Sequence, residues 1–170
     1  MKEKDYFKTV EISEYIEKVV RIDRVTKVVK GGKRLAFRVF VIVGDQKGKV
    51  GFSCGKAKEV PSAIKKAIEK AKKNLTNISL VNGTLPHIIF SKYGASTVVL
   101  RPAKQGTGVI AGGAVRVLLE ALGVKNVVSK CQGSRNAINV TRAAFNGLVN
   151  CMNLDLQENI REKKLSVSFL

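Results

Sequence analysis

The chain has a single histidine, no tryptophan and only three cysteines in 170 residues. With His87 alone, no His-rich metal site can be built, and no Ser–His–Asp or Cys–His constellation can be argued. Cys54, Cys131 and Cys151 fit no zinc or redox spacing, so three reduced thiols, no metal and no cofactor are expected. Acids are also scarce: after Glu69 come only Glu120, Asp155, Glu158 and Glu162. No general acid/base pair stands out among them. No apolar run approaches the ~18 residues of a membrane-spanning helix. The opening MKEKDYF carries two acids and no apolar core, which predicts no secretory leader and a cytoplasmic setting.

What the chain has in excess is positive charge. Lys and Arg number 31 against 13 Asp and Glu, for a formal charge of +18 and a pI near 10.1. Such a surplus repels itself in the compact state unless a polyanion neutralises it, and phosphate backbones do so with release of counterions. Residues 1–84 hold 20 basic and 9 acidic residues and residues 85–170 hold 11 and 4, so both halves can touch the partner. With 45% hydrophobic residues the chain can still bury a core. Three Tyr and seven Phe argue against base stacking as the main mode and for recognition of folded RNA by shape and phosphate.

Residues 1–17 mix lysines with five acids and read as a loosely held arm. Residues 19–29 are β-branched and interleaved with charge, which predicts a strand. Lys30-Gly31-Gly32-Lys33 is a turn signal. In the next strand Leu35, Phe37, Val39, Val41 and Val43 share one face at period two, with Arg34, Arg38, Phe40 and Ile42 on the other, so one face is expected to pack. A second turn at residues 44–48 leads to a third strand through Val50 and Phe52. Glu59-Val60-Pro61 opens a helix whose Ile64, Ala67, Ile68, Ala71 and Leu75 face the core. Its Lys65, Lys66, Lys70, Lys72 and Lys73 lie on the remaining surface. This β-β-β-α unit predicts a two-layer domain.

A boundary falls near residues 76–84. Beyond it, strands are expected at 86–90 and 97–101, joined by a turn at Lys92-Tyr93-Gly94. A glycine-rich loop follows, then a helix through Val115, Leu118, Leu119 and Leu122, ended by Gly123 as a left-handed cap. A strand at 124–129 and a last helix through Val140, Ala144 and Leu148, capped by Ser134 or Asn136, complete a β-β-α-β-α unit.

Two motifs invite chemistry. GTGVIAGG (106–113) sits between strand and helix, where glycines admit a ligand and a helix start attracts anions. It lacks the Gly-Lys-Ser/Thr of a phosphate loop. Ala111 takes the place of a dinucleotide-type third glycine, and no acid follows about 20 residues on. Tight helix–strand packing, with an RNA phosphate nearby, is the better reading. KVVKGGKR (27–34) is a hairpin tip with four cations and two glycines. It suits an RNA groove better than an inert solvated turn, given the chain-wide surplus.

Four stretches together resemble one family: residues 27–34, VGDQKGKVGFSCGKAKEVPSAIKKAI (43–68), LPHIIFSKYGASTVVLRPAKQGTGVIAGGAVRVLLEALGVKNV (85–127) and GSRNAINVTRAAFNGL (133–148). In this order, over most of residues 18–150, they are similar to ribosomal protein five of the small subunit, the bacterial and organellar type. Many members carry Gly where Cys54 stands and Asn-Pro where this chain has Asn136-Ala137. Loss of that proline is expected to loosen the start of the last helix.

The resemblance implies an α+β fold. An arm (1–13) precedes a double-stranded-RNA-binding-like β-β-β-α domain (14–77). A β-β-α-β-α sandwich with a left-handed crossover (84–155) and a variable tail (156–170) follow. It further implies a structural, non-enzymatic role in the small ribosomal subunit, binding its rRNA at the junction of head and body. Contacts with ribosomal proteins four and eight, support of decoding accuracy and a place by the mRNA entry path are implied too. Residues 26–34 would lie near the site of an aminocyclitol antibiotic.

The residues themselves suggest a clamp. Arg24, Lys27, Lys30, Lys33 and Arg34 would hold phosphates from the hairpin, with Gly31 and Gly32 letting the backbone sit close. Lys47, Lys49, Lys56 and Lys58 would add a second patch. Arg101, Lys104, Lys130, Ser134, Arg135 and Asn136 would contribute from the second domain. Two rival readings stand beside it. One is a free double-stranded-RNA-binding regulator, which sedimentation apart from subunits would reveal. The other is a nucleotide-dependent enzyme using residues 106–113, which a nucleotide titration would test.

Overall fold

The computed structural model describes residues 15–164. Its N-terminal half begins with a long hairpin, β1 (Ile16–Val29) and β2 (Gly32–Gly44), followed by β3 (Lys49–Ala57), helix α1 (Val60–Lys73) and a two-residue strand β4 (Thr76–Asn77). These strands form one antiparallel sheet in the order β1-β2-β3-β4. The C-terminal half holds β5 (Ile89–Tyr93), β6 (Ser96–Pro102), the short β7 (Val109–Ile110), α2 (Gly113–Leu122), β8 (Val127–Gly133), α3 (Ala137–Val149) and α4 (Leu154–Arg161). Its sheet runs β5-β6-β8-β7, antiparallel except for β7 and β8, which lie parallel across the α2 crossover.

Helix α1 packs through Ala63, Ala67 and Ala71, all fully buried, onto Val39, Val41 and Val43 of β2. Small residues bring helix and strand very close. A Cβ on Gly55 would stand 2.1 Å from the Ala63 carbonyl oxygen, and one on Gly51 2.7 Å from that of Ala71. Ile64 and Ile68 flank this seam half-buried, and the five lysines of the outer face are exposed. Pro61 sits in the first turn, after Glu59 at the cap position. Three lysines in the last turn face the negative end of the helix dipole.

The other face of the first sheet is buried too. Phe40, Ile42 and Val50 join Leu118, Leu119, Leu122, Val140, Ala144 and Leu148 in one core. Phe52 of β3 meets Phe145 of α3 edge-on at 5.0 Å. On the far side, Ile89, Val98, Leu100 and Val127 close the same core. The molecule is therefore a stack of four layers: α1, the first sheet, the pair α2 and α3, then the second sheet. The first unit has its expected two layers, α1 on the sheet, but the expectation that one face of β2 packs is corrected: the helices of the second unit cover the other face, so β2 is buried on both sides and reads as a continuous apolar run.

Backbone contacts fasten the two halves. The Gln46 amide donates to the Ala121 carbonyl (3.0 Å) and the Gly48 amide to that of Leu122 (3.1 Å). A Cβ on Gly44 would fall 2.1 Å from the Ala121 oxygen, so only glycine fits there. Lys18 Nζ reaches Glu120 at 2.5 Å. Gly123, at φ 92°, ends α2, and Val124 donates back to Leu119 as in a Schellman cap.

Several boundaries differ from the sequence reading. Ile16 and Glu17, which composition puts in the arm, belong to β1, and Glu17 pairs with Lys72 at 2.8 Å. The expectation for residues 1–13 lies outside the described residues. The strand expected at 86–90 is centred later, at β5, and its turn moves accordingly. The strand expected at 124–129 begins at Val127 and runs to Gly133. Strands β4 and β7 and helix α4 have no counterpart in the sequence reading. No described helix is long and apolar enough to cross a membrane.

Candidate nucleic-acid interface

Strand β3 pairs with β2 only from Phe37 onward. Residues 25–29 and 32–36 therefore leave the sheet as a two-stranded ribbon, roughly 16 Å long at the usual rise. Gly31, at φ 81°, makes the tip. Neither Gly31 nor Gly32 has anything within 4 Å of where a Cβ would stand. Arg24, Lys27, Lys30, Lys33 and Arg34 are all exposed, and among the described residues no carboxylate pairs with them.

Register decides which of these cations act together. Opposed residues share a face, so Lys27 and Arg34 stand together on the side turned toward α2 and α3. Arg24 opposes Phe37 on the α1 side, and Lys33, opposite Val28, shares that side. The ribbon thus carries cations on both faces and at its tip, a collar rather than one patch. Further down, Asp23 is already neutralised. Arg38 Nη2 (2.8 Å) and Arg21 Nε (2.6 Å) hold its carboxylate below the usual range by their hydrogen bonds.

Lys47, Lys49, Lys56 and Lys58 do not come together. Lys56 opposes Arg38 near the ribbon, and Lys58 follows it toward α1. Lys47 and Lys49 lie at the other end of β3, about 23 Å from Lys56 at the strand rise. Their amides both donate to the Asp45 carboxylate, which shapes the turn docked on α2.

In the second domain, Arg101 (β6) and Lys130 (β8) share the sheet face turned away from α2 and α3. Lys104 is exposed in the loop before β7, and Arg135 in the link to α3. Ser134 and Asn136 are engaged in structure. The Ser134 carbonyl accepts from Ser96 Oγ (2.8 Å), and Asn136 Oδ1 accepts from the Ile138 amide (3.2 Å), capping α3. Asn136, not Ser134, is the cap, and it forms without the expected proline. The glycine-rich loop is engaged as well: the Gly106 and Gly108 amides both donate to Asn126 Oδ1, at 3.0 and 3.1 Å. Asn126 is 7% exposed and escapes the sequence reading, since a lone Asn before a strand carries no signal of its own.

The reactive side chains are similarly committed. Met152 donates its amide to His87 Nε2 (3.2 Å), and Nδ1 faces the Ile88 carbonyl (2.8 Å). Burial pushes the thiols of Cys54, Cys131 and Cys151 above their ordinary range. Cys54 lines a cavity of about 470 Å³ with Phe52, Arg142 and Phe145, where a glycine would leave the space larger. Among the described residues no three potential metal ligands gather.

Basic loops and a projecting basic ribbon on a two-domain α+β frame define a class: a protein built to face a polyanion, with no catalytic constellation among its described residues. Comparison with known proteins makes this specific. Residues 15–79 match the family described as Ribosomal protein S5, N-terminal domain, and residues 91–163 match Ribosomal protein S5, C-terminal domain. The small ribosomal subunit protein uS5 of Syntrophobacter fumaroxidans is 52% identical over 150 residues, 88% of this chain and 90% of that one. Its namesake from a Psychrobacter species is 56% identical over 133 residues, 78% of this chain and 81% of that one. That of Lawsonia intracellularis is 52% identical over 151 residues, 89% and 93% of the two chains. The chain belongs to the ribosomal protein S5 family, a structural and non-enzymatic one.

Proposed function

We propose that this chain is a structural constituent of the small ribosomal subunit, in the cytoplasm, where it binds small-subunit rRNA. The observation that carries the reading is the match of both family domains, in order, on a chain of charge +18. Within the subunit the chain sits at the head–body junction, contacts ribosomal proteins four and eight, supports decoding accuracy and borders the mRNA entry path. Units 14–77 and 84–155 each contribute cations. The ribbon grips phosphates with Arg24, Lys27, Lys30, Lys33 and Arg34, and Gly31 and Gly32 admit close approach. Arg101, Lys104, Lys130 and Arg135 hold RNA from the second unit.

Sedimentation of a lysate across ~0.1–0.5 M salt tests this, because electrostatic RNA contacts weaken steeply over that range. Travel with the small subunit that persists at the upper end is expected. A chain at the top of the gradient at the lowest salt would instead indicate a free RNA-binding regulator.

A further inference from the structure

Helices α2 and α3 both lie between the two sheets, so neither covers the outer face of the second sheet. Register places three cross-strand rows on that face: Phe90–Val99–Lys130, then Lys92–Thr97–Gln132 on one side and Arg101–Val128 on the other. Phe90 is 70% exposed, the most exposed aromatic side chain among the large hydrophobics of the described residues. Exposed Lys92, Lys130 and Arg101 surround it at one- and two-residue steps along and across the strands. Strands β5, β6, β7 and β8 contain no Asp or Glu at all.

We propose that this face is a second RNA site, one that takes an unpaired nucleotide by stacking its base on the Phe90 ring. Charge complementarity selects the occupant. Three cations without a carboxylate disfavour a basic or neutral protein surface, and a flat ring within reach of the cations matches a base with its flanking phosphates. Aromatic rings on an open sheet with cations tracking the backbone are how single strands are held with little sequence preference. The site rests on the ribosomal reading above but differs in chemistry: the ribbon offers only phosphate contacts, whereas this face also reads a π surface.

The chain has no tryptophan, so Phe90→Trp supplies a single tryptophan at the site, whose emission is read apart from that of the three tyrosines by excitation at the red edge. Titration of the full chain carrying Phe90→Trp with a ten-nucleotide single-stranded oligouridine should quench its emission. Phe90→Ala and Phe90→Leu should each weaken binding of that oligomer about five- to 150-fold, the effect of one stacked base. Unquenched emission, or wild-type affinity in Phe90→Leu, would overturn the proposal. In assembled subunits, a photo-crosslinking residue at position 90 should capture RNA, and capture of a protein would overturn it too. Sedimentation of the same variants separates the two readings. Chains that travel with subunits yet show no quenching sink only this site. Quenched chains that stay out of subunits support it and sink the ribosomal assignment instead.

Discussion

Lys27 and Arg34 stand directly opposite each other across the β1–β2 ribbon, on the same face, and among the described residues no carboxylate pairs with either. Like charges so placed weaken a hairpin by a few tenths to about 1 kcal/mol. The ribbon has no core to offset this, since Val28 is 72% exposed and Leu35 49%. A pair that is unfavourable in the free chain becomes favourable once phosphate lies against it. Arg34→Thr should therefore raise the urea midpoint of the free protein slightly. The same change should lower RNA affinity and reduce the slope of log K against log salt by about 0.9 for each phosphate left without its cation. A drop in both stability and affinity would show that the pair is not strained in the free state.

The tip and the interdomain seam give opposite outcomes for one kind of substitution. Gly32→Ala meets open space and should leave stability within about 0.5 kcal/mol of wild type. Gly44→Ala sets a methyl 2.1 Å from the Ala121 oxygen and should lower stability by at least about 1–3 kcal/mol, as overpacking does. Denaturant unfolding of both chains checks the contrast. Equal midpoints would mean that the turn and α2 separate easily.

Much of this architecture is legible in the sequence because it is local. The alternation of β2, the proline-marked start of α1 and the Gly123 cap each follow from a few neighbouring residues. What stays hidden depends on pairing across the chain. Alternation alone puts Phe40 and Ile42 on the face opposite the core, yet α2 and α3, far later in the sequence, cover them. Strands β4 and β7 are two residues long and have no period to detect. For the site, composition marks the cations but only register can sort them: Lys27 with Arg34, Lys33 apart from both, Lys49 far from Lys56. The openness of Phe90 is likewise set by which side α2 and α3 choose.

Lys30→Glu with Lys33→Glu tests the ribbon without touching the core, since both side chains are exposed at its tip. The double variant should unfold at nearly the wild-type midpoint yet assemble poorly into small subunits or alter the response to an aminocyclitol. Wild-type rRNA footprints in that variant would count against a phosphate-gripping ribbon.

Asn136 already holds the conformation that precedes a proline, with φ −62° and ψ 117°, and Ala137 is the first residue of α3. The amide of a first helical residue lacks an intrahelical acceptor, so proline there removes no helix bond. Ala137→Pro should stabilise the chain by about 0.4–1 kcal/mol, mainly by restricting the unfolded state. A lowered melting temperature would show that the loop 133–136 needs freedom that proline denies.

Glu120 ties the halves together and makes the tie sensitive to acid. Its carboxylate accepts from Lys18 Nζ of β1 (2.5 Å) and from Arg116 Nε of its own helix (2.9 Å). The Lys18 hydrogen bond, then that of Arg116, holds the carboxyl below the ordinary range of a glutamate. The folded state therefore binds fewer protons than the unfolded one between the two values. Stability from this group is present in full above the unfolded pKa of about 4.3 and is lost as pH falls through the depressed folded value. With the side chains 39% and 32% exposed, salt screens the pair and its contribution stays below about 1 kcal/mol. Glu120→Gln removes the titration. The wild-type advantage over this variant should be constant from pH 7 to about 5, then shrink toward zero as pH falls through the depressed folded value. Asp23, also depressed, titrates alike in both chains and cancels in the difference. Urea midpoints of the pair across that pH range measure it, and an advantage that survives at the acid end would assign the stabilisation to packing rather than charge.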